Sequence, residues 1–337
     1  MLQYIFIGNS VYALFLYCLR FYKQIDETLF LLGPSCTFAN VNHCLPICAP
    51  RNINNMQIVK EALQQQVYLL LQGRKVPCYG NVETVFSDFF VHHFEFYPMT
   101  DGLRDTVTYP HYLEKNLFPK CYTVRYKGGL DMDHKNLEYI DIRKTWDALD
   151  EEAHQKIMSI FNVTPNDYTV LKEKTTLLLT QPLSEDNICS TEDKIKIYQR
   201  IISQYAPEKL VIKAHPREMT NWADIFPNVS ILPNHIPAEM LSLTVPNLNK
   251  VVTFFSTAAF NMLSEEQIDF YSKDFTQLKF YTNGLRTEGN RQYKSISSFD
   301  VEEKYKTCNF NWLRLPDEDK TLYRYKDTHT FKITFPS

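Results

Sequence analysis

The hexapeptide Lys213-Ala214-His215-Pro216-Arg217-Glu218 gathers several chemically useful side chains into one short stretch. Arg217 offers a planar fork of donors with a permanent charge. His215 offers a donor that titrates near neutral pH. Pro216 restricts the backbone between them. A lone histidine after a strand is usually structural, which is the reading for His43, His111 and His154. His215 differs because Pro216 pins the turn and Lys213 and Arg217 surround it. The chemistry this implies is the gripping of an anion, a phosphate above all. Ser256-Thr257 adds two hydroxyls where a helix is expected to begin, and free N–H groups and the helix dipole there favour phosphate. In isolation Ser256 would be read as an N-cap. Glu239 follows Pro237 at another expected helix start. It complements the dipole or accepts hydrogen bonds from ribose hydroxyls or a base amine. Asp101-Gly102 is by spacing alone a turn signal.

The elements that must carry these residues follow from the apolar pattern. Residues 4–7 read as a buried strand, Gly8-Asn9-Ser10 as a turn and residues 11–22 as a helix. Residues 28–32 read as a second strand, 55–71 as a helix, and 89–97 as a strand leading to Asp101. The charged section 131–167 contains an expected surface helix over 147–161 and marks the change of domain. Beyond it, strands are expected at 175–180, 210–214, 229–232 and 250–255, and helices at 191–205, from 238, and from Ser256 to Met262. Strands alternating with helices predict an α/β chain of two doubly wound Rossmann-like domains, 1–165 and 166–337, facing a central cleft. Three loops follow expected strands of the second domain: Gln181-Pro182-Leu183-Ser184-Glu185-Asp186, His215-Pro216-Arg217-Glu218 and Ser256-Thr257-Ala258-Ala259. In an open parallel sheet all three lie at the ligand-binding edge.

Bulk properties narrow the class. The 337 residues carry a net charge of −3 and no long basic run, which argues against nucleic acid as a partner. The eight cysteines contain no CxxC pair, and Cys44 and Cys48 beside His43 lack a second ligand pair at zinc spacing, so reduced thiols are expected. The apolar stretch 4–21 is broken by Gly8-Asn9-Ser10, too early for a spanning helix of about 20 residues. The expected location is therefore the cytoplasm.

Together the loops resemble the bacterial lipooligosaccharide sialyltransferases of glycosyltransferase family 52. More distantly they resemble bacterial sialyltransferases with an acidic-acidic-Gly motif, a His-Pro motif and a Ser-Ser/Thr motif. The matching residues are Asp101-Gly102, His215-Pro216-Arg217, Phe254-Phe255-Ser256-Thr257-Ala258-Ala259, and Glu239 within Ile236-Pro237-Ala238-Glu239. The resemblance implies a GT-B fold, an acceptor-binding first domain and a CMP-sugar-binding second one. It implies a CMP-sialic acid donor, a galactose-ended lipooligosaccharide or capsule acceptor, and inversion without a required metal or other cofactor. Under it, His215 would protonate or stabilise the leaving phosphate, Ser256 and Thr257 would hold that phosphate, and Glu239 would bind ribose or cytosine. Gln181 and Pro182 would line the donor site with Pro216 and Arg217. Asp101 becomes a candidate base. Thr100 replaces the usual first acid, and Leu183 stands where some members carry an important Asp, so Glu185 and Asp186 compete with Asp101 for that role. Two other readings stay open: another CMP-activated or polymerising donor, and a nucleotide- or glycan-binding protein without catalysis. A homodimer and a peripheral inner-membrane contact through residues 320–332 are compatible with the resemblance.

Overall fold

Short Val-, Leu- and Ile-rich runs, buried on both faces, are what a parallel sheet between helices demands. A computed structural model of the chain describes residues 1–48, 56–100, 105–125, 130–164, 173–186, 190–245, 247–254, 256–271, 285–288, 291–294 and 311–312. It forms two compact units, Met1–Thr164 with His235–Pro237, and Pro165–Asn234 with Ala238–Ser337.

The first unit is a parallel five-stranded sheet. Its strands are β1 (Tyr4–Gly8), β2 (Thr28–Leu32), β3 (Cys44–Pro46), β4 (Cys78–Gly80) and β5 (Phe96–Pro98), in the order β3-β2-β1-β4-β5. Ser10 caps the first helix, Val11–Arg20, by accepting from the Ala13 N–H, and eight of that helix's residues are buried. Gly80 has φ +147°, and a Cβ there would lie 1.8 Å from the Ile7 carbonyl oxygen, so the close approach of β4 to β1 requires glycine. β6 (Cys121–Thr123) and β7 (Leu137–Tyr139) form a separate parallel pair.

Two expected elements of this unit take another form. The strand expected over 89–97 is a helix, Ser87–His93, followed by the short β5. Aromatic richness suggested a strand, but Phe90 and Phe94 stand one helical turn apart and stack at 5.6 Å, as do Phe89 and His93 at 4.6 Å. Burial of Phe90 in the unit's core decides the matter. The helix expected over 147–161 is two helices, Ile142–Asp147 and Glu151–Ile160. Asp150 breaks them by capping the second, accepting from the Ala153 N–H at 2.8 Å.

The second unit repeats the plan. β8 (Thr176–Leu179), β9 (Leu210–Lys213), β10 (Ser230–Leu232), β11 (Lys250–Thr253), β12 (Ile268–Phe270) and β15 (Asn311–Trp312) form one parallel sheet, β10-β9-β8-β11-β12-β15. β13 (Leu285–Glu288) and β14 (Arg291–Lys294) make an antiparallel pair outside it. The helix Thr191–Ile202 is capped by Ser190 and lays Ile197, Tyr198, Ile201 and Ile202 onto the core with Leu178, Ile212 and Trp222. A second helix, Ala238–Thr244, precedes β11. The helix expected from Ser256 to Met262 is a short 3₁₀ turn, Thr257–Asn261. Each sheet is thus a Rossmann-like doubly wound layer, and two in succession give the α/β class and the GT-B type of chain.

Among the described residues, no helix is long and apolar enough to cross a membrane, and no group of three His, Cys, Asp or Glu could hold a metal ion.

Candidate active site

β9, β8 and β11 are neighbours in the second sheet, and strand order reverses between β8 and β11. Neighbouring strands lie about 5 Å apart. Their carboxyl ends release Thr180-Gln181, Ala214-His215 and Phe254 with Ser256 onto one edge, at the switch point where such sheets bind ligands. The structure therefore brings Gln181, His215 and Ser256 together within the second unit.

The turn after β9 is built around His215. Its carbonyl accepts from the Glu218 N–H at 2.9 Å, which closes the turn. Its Nδ1 accepts from the Arg217 N–H at 3.2 Å, which leaves Nε2 as the protonated, donating nitrogen of a neutral ring. Burial, then the Arg217 and Lys213 charges, push the imidazole down to about 3. The titration near neutral pH expected from the sequence is thus not what the fold gives this ring. The ring is a neutral N–H donor until an anion arrives beside it.

The loop after β8 is tied to this turn. The Gln181 N–H donates to the Tyr198 hydroxyl at 2.6 Å, and the Leu183 N–H to the Gln181 carbonyl at 2.8 Å. The Pro182 carbonyl accepts from the Asp186 N–H at 2.8 Å. Asp186 holds the exposed Arg217 in a two-pronged pair, with Nη2 to Oδ2 at 2.9 Å and Nη1 against Oδ1. Glu185 accepts from the Met219 N–H at 2.8 Å and pairs with Lys194 at 2.8 Å. Burial raises its carboxyl, but the Lys194 ammonium and the Met219 N–H outweigh that and hold it below the usual range. Both carboxylates of this loop are committed to cations, and Glu185 in particular is a weakened base.

Lys194 was not singled out from the sequence, yet its whole side chain is buried. It lies 2.6 Å from Glu218 Oε1 and donates to the Thr220 hydroxyl at 2.9 Å. Glu218 Oε2 accepts from the His215 N–H at 2.7 Å and from the Thr180 hydroxyl. Burial raises the Glu218 carboxyl in spite of these donors. The signal was present: Lys194 shares one helical stripe with Ile197, Tyr198 and Ile201, a core position for an apolar residue.

Lys213 and Glu239 form a second buried set. The Lys213 ammonium donates to the Ala214 and Asn234 carbonyls at 2.7 and 2.9 Å, and burial brings it down to about 8 against the pull of Glu218 and Glu239. Glu239 is 4% exposed, and burial pushes its carboxyl up to about 7 against its own backbone N–H and Lys213. A carboxyl so placed gains from any further donor that a ligand brings.

Ser256 does not cap the turn it opens; its N–H donates to the Thr253 hydroxyl at 2.8 Å. Thr257 is the first residue of that 3₁₀ turn. Five residues of 3₁₀ geometry supply little aligned dipole, so the hydroxyl of Ser256 and main-chain N–H groups, rather than a helix dipole, are what this strand end offers an anion. Asp101 and Gly102 lie outside the described residues.

The family model for glycosyltransferase family 52 matches residues 39–274. An uncharacterized protein of Haemophilus influenzae is 35% identical over 175 residues, which span 52% of this chain and 55% of that one, so the chain aligns with about half the length of this relative. The GT-B domain of a sialyltransferase from Photobacterium damselae is similar over 81% of this chain and 92% of its own, at a TM-score of 0.48 and 10% identity. The UDP complex of S. aureus MnaA is similar over 80% of this chain and 79% of that one, at a TM-score of 0.44 and 14% identity. Likeness this distant assigns no chemistry. The family match is of another kind: it runs through the loops after β8, β9 and β11 and through Lys194 and Glu239, and the chain belongs to glycosyltransferase family 52.

Proposed function

We propose that the chain is an inverting sialyltransferase that moves sialic acid from CMP-sialic acid to a galactose-ended surface glycan, lipooligosaccharide or capsule. The observation that carries the reading is the Arg217 N–H bond to His215 Nδ1, which assigns the donating proton to Nε2, at the carboxyl edge of β9, beside the strand end bearing Gln181 and two strands from the one bearing Ser256. CMP leaves as an oxocarbenium-like state develops at the sugar, and charge grows on the departing phosphate. A preoriented N–H aimed at that charge stabilises the transition state more than the ground state. The ring serves as a neutral hydrogen-bond donor to the departing phosphate through Nε2–H, and the bound phosphate would itself raise the imidazole from its depressed value.

Ser256 and Thr257 hold the phosphate with hydroxyl and main-chain donors. Gln181, Pro182, Pro216 and Arg217 line the donor site. Glu239 accepts from ribose hydroxyls or the cytosine amine, which offsets the cost of burying its charge. Asp101 is the preferred base, because Glu185 and Asp186 are both committed to cations. The reaction requires no metal in this reading. Residues 1–165 would bind the acceptor and 166–337 the CMP-sugar. A cytoplasmic location with peripheral contact at the inner membrane, and a homodimer, complete the proposal.

The test is incubation with CMP-sialic acid and a panel of galactosides, with product linkage read by NMR. Sialylated product from CMP-sialic acid supports the reading. Turnover only with another CMP-activated sugar, or tight CMP binding without transfer, refutes it.

A further inference from the structure

Lys194 takes no part in the donor chemistry proposed above, yet it is fully buried and held by four side-chain contacts to two carboxylates and a hydroxyl. It stands among Ile197, Tyr198 and Ile201 with no exposed surface. An ammonium in such a place is costly unless fully partnered. It has Glu218 Oε1 at 2.6 Å, Glu185 Oε2 and Oε1 at 2.8 and 3.2 Å, and the Thr220 hydroxyl at 2.9 Å. Each carboxylate then grips the main chain of the loop after β9. Glu218 Oε2 takes the His215 N–H at 2.7 Å, and Glu185 Oε1 takes the Met219 N–H at 2.8 Å. The Thr180 hydroxyl, first residue beyond β8, donates to Glu218 as well. One ammonium thereby joins a helix, the end of β8 and both ends of the 215–219 loop.

We propose that Lys194, Glu218 and Thr180 form a positioning brace that fixes the main chain of His215 and so aims its imidazole at the departing phosphate. Buried ion clusters of this kind are often matched or exceeded in stability by apolar replacements of equal volume. What this cluster supplies that an apolar core could not is directed hydrogen bonding to one backbone N–H. Glu185 then belongs to the brace and not to the acceptor side of the reaction. The inference rests on His215 acting as the phosphate donor.

The test uses Thr180→Val, Thr180→Ser and Glu218→Gln in the full chain. Two readouts are taken: CMP release from CMP-sialic acid, and hydrogen exchange of the His215 backbone amide. Thr180→Val and Glu218→Gln are expected to lower kcat about tenfold with donor KM within about twofold, since small misplacement of a catalytic group is costly. In both variants the His215 amide should exchange about tenfold faster. Thr180→Ser, which keeps the hydroxyl, should stay within about twofold of the natural chain in kcat and exchange. A packing role predicts the reverse order, because serine leaves a methyl-sized void and valine does not. Unchanged kcat or unchanged exchange in Thr180→Val overturns the brace, as does a larger loss in Thr180→Ser. The exchange readout needs no substrate. A natural chain that releases no CMP removes the donor chemistry, and exchange at His215 still decides the brace.

Discussion

Replacing Glu239 with glutamine should make the protein more stable and worse at holding a nucleotide, by amounts that depend on pH. The carboxyl is buried and titrates at about 7 in the folded chain, against an ordinary glutamate value of 4.5. Between those two values the folded state keeps a proton that the unfolded state releases. Folding stability therefore falls as pH rises through that window, and the loss is complete above the folded value. At 1.36 kcal/mol per unit the whole displacement corresponds to about 3 kcal/mol. Glutamine mimics the protonated form at every pH. Glu239→Gln should thus match the natural chain below about pH 4.5, pull ahead from there upward, and exceed it by about 2–3 kcal/mol at pH 8. Lys213 trims the gain, because it loses a neighbouring anion and its ammonium becomes harder to keep. Urea titration at a series of pH values between 5 and 8.5 measures the difference directly. In parallel, CMP affinity at pH 8 should fall about ten- to hundredfold, the usual worth of a hydrogen bond to a charged acceptor. A stability difference that stays flat with pH, or a variant less stable at pH 8, would refute the reasoning.

Other outcomes follow from the same structure. His215→Ala should fold normally and lose about a hundredfold or more in CMP release from CMP-sialic acid, read by chromatography. His215 is depressed to about 3, so the folded state refuses a proton that the unfolded histidine accepts near its ordinary 6.5. Stability should be lost as pH falls through that interval, and His215→Gln should flatten this part of a Tm-versus-pH curve. Gly80→Ala, whose Cβ would meet the Ile7 carbonyl oxygen at 1.8 Å in a backbone conformation foreign to alanine, should fail to give folded protein by circular dichroism. Phe90→Ala should cost about 3–5 kcal/mol in chemical denaturation, because it empties a fully buried ring site of the first unit.

Much of this architecture was legible in the sequence, for reasons specific to each element. β2 was placed to the residue because Leu29 to Leu32 is a continuous apolar run, led by the β-branched Thr28 and closed by Gly33-Pro34. The three loops of the second unit were found because each follows such a run. Periodicity failed at residues 87–98, where phenylalanines suit either a strand or a helix and only the core's demand for Phe90 selects the helix. Site chemistry was legible where polar residues follow strands, as at His215. It was opaque where a polar residue occupies a core stripe, as Lys194 does, because its partners Glu185 and Glu218 lie distant in sequence. The lowered titration of His215 was opaque for a related cause: burial and the neighbouring Arg217 and Lys213 act through space.

Lys194 and Lys213 also carry a consequence for reagents that attack amines. Both side chains are shielded, at 0% and 3% exposure, so acylation there must wait for the second unit to open, whereas surface lysines such as Lys196 react from the folded state. Lysine labelling followed by peptide mapping would then act as a clock. Modification of the two buried amines would report how often the 215–219 loop and its supporting helix part company.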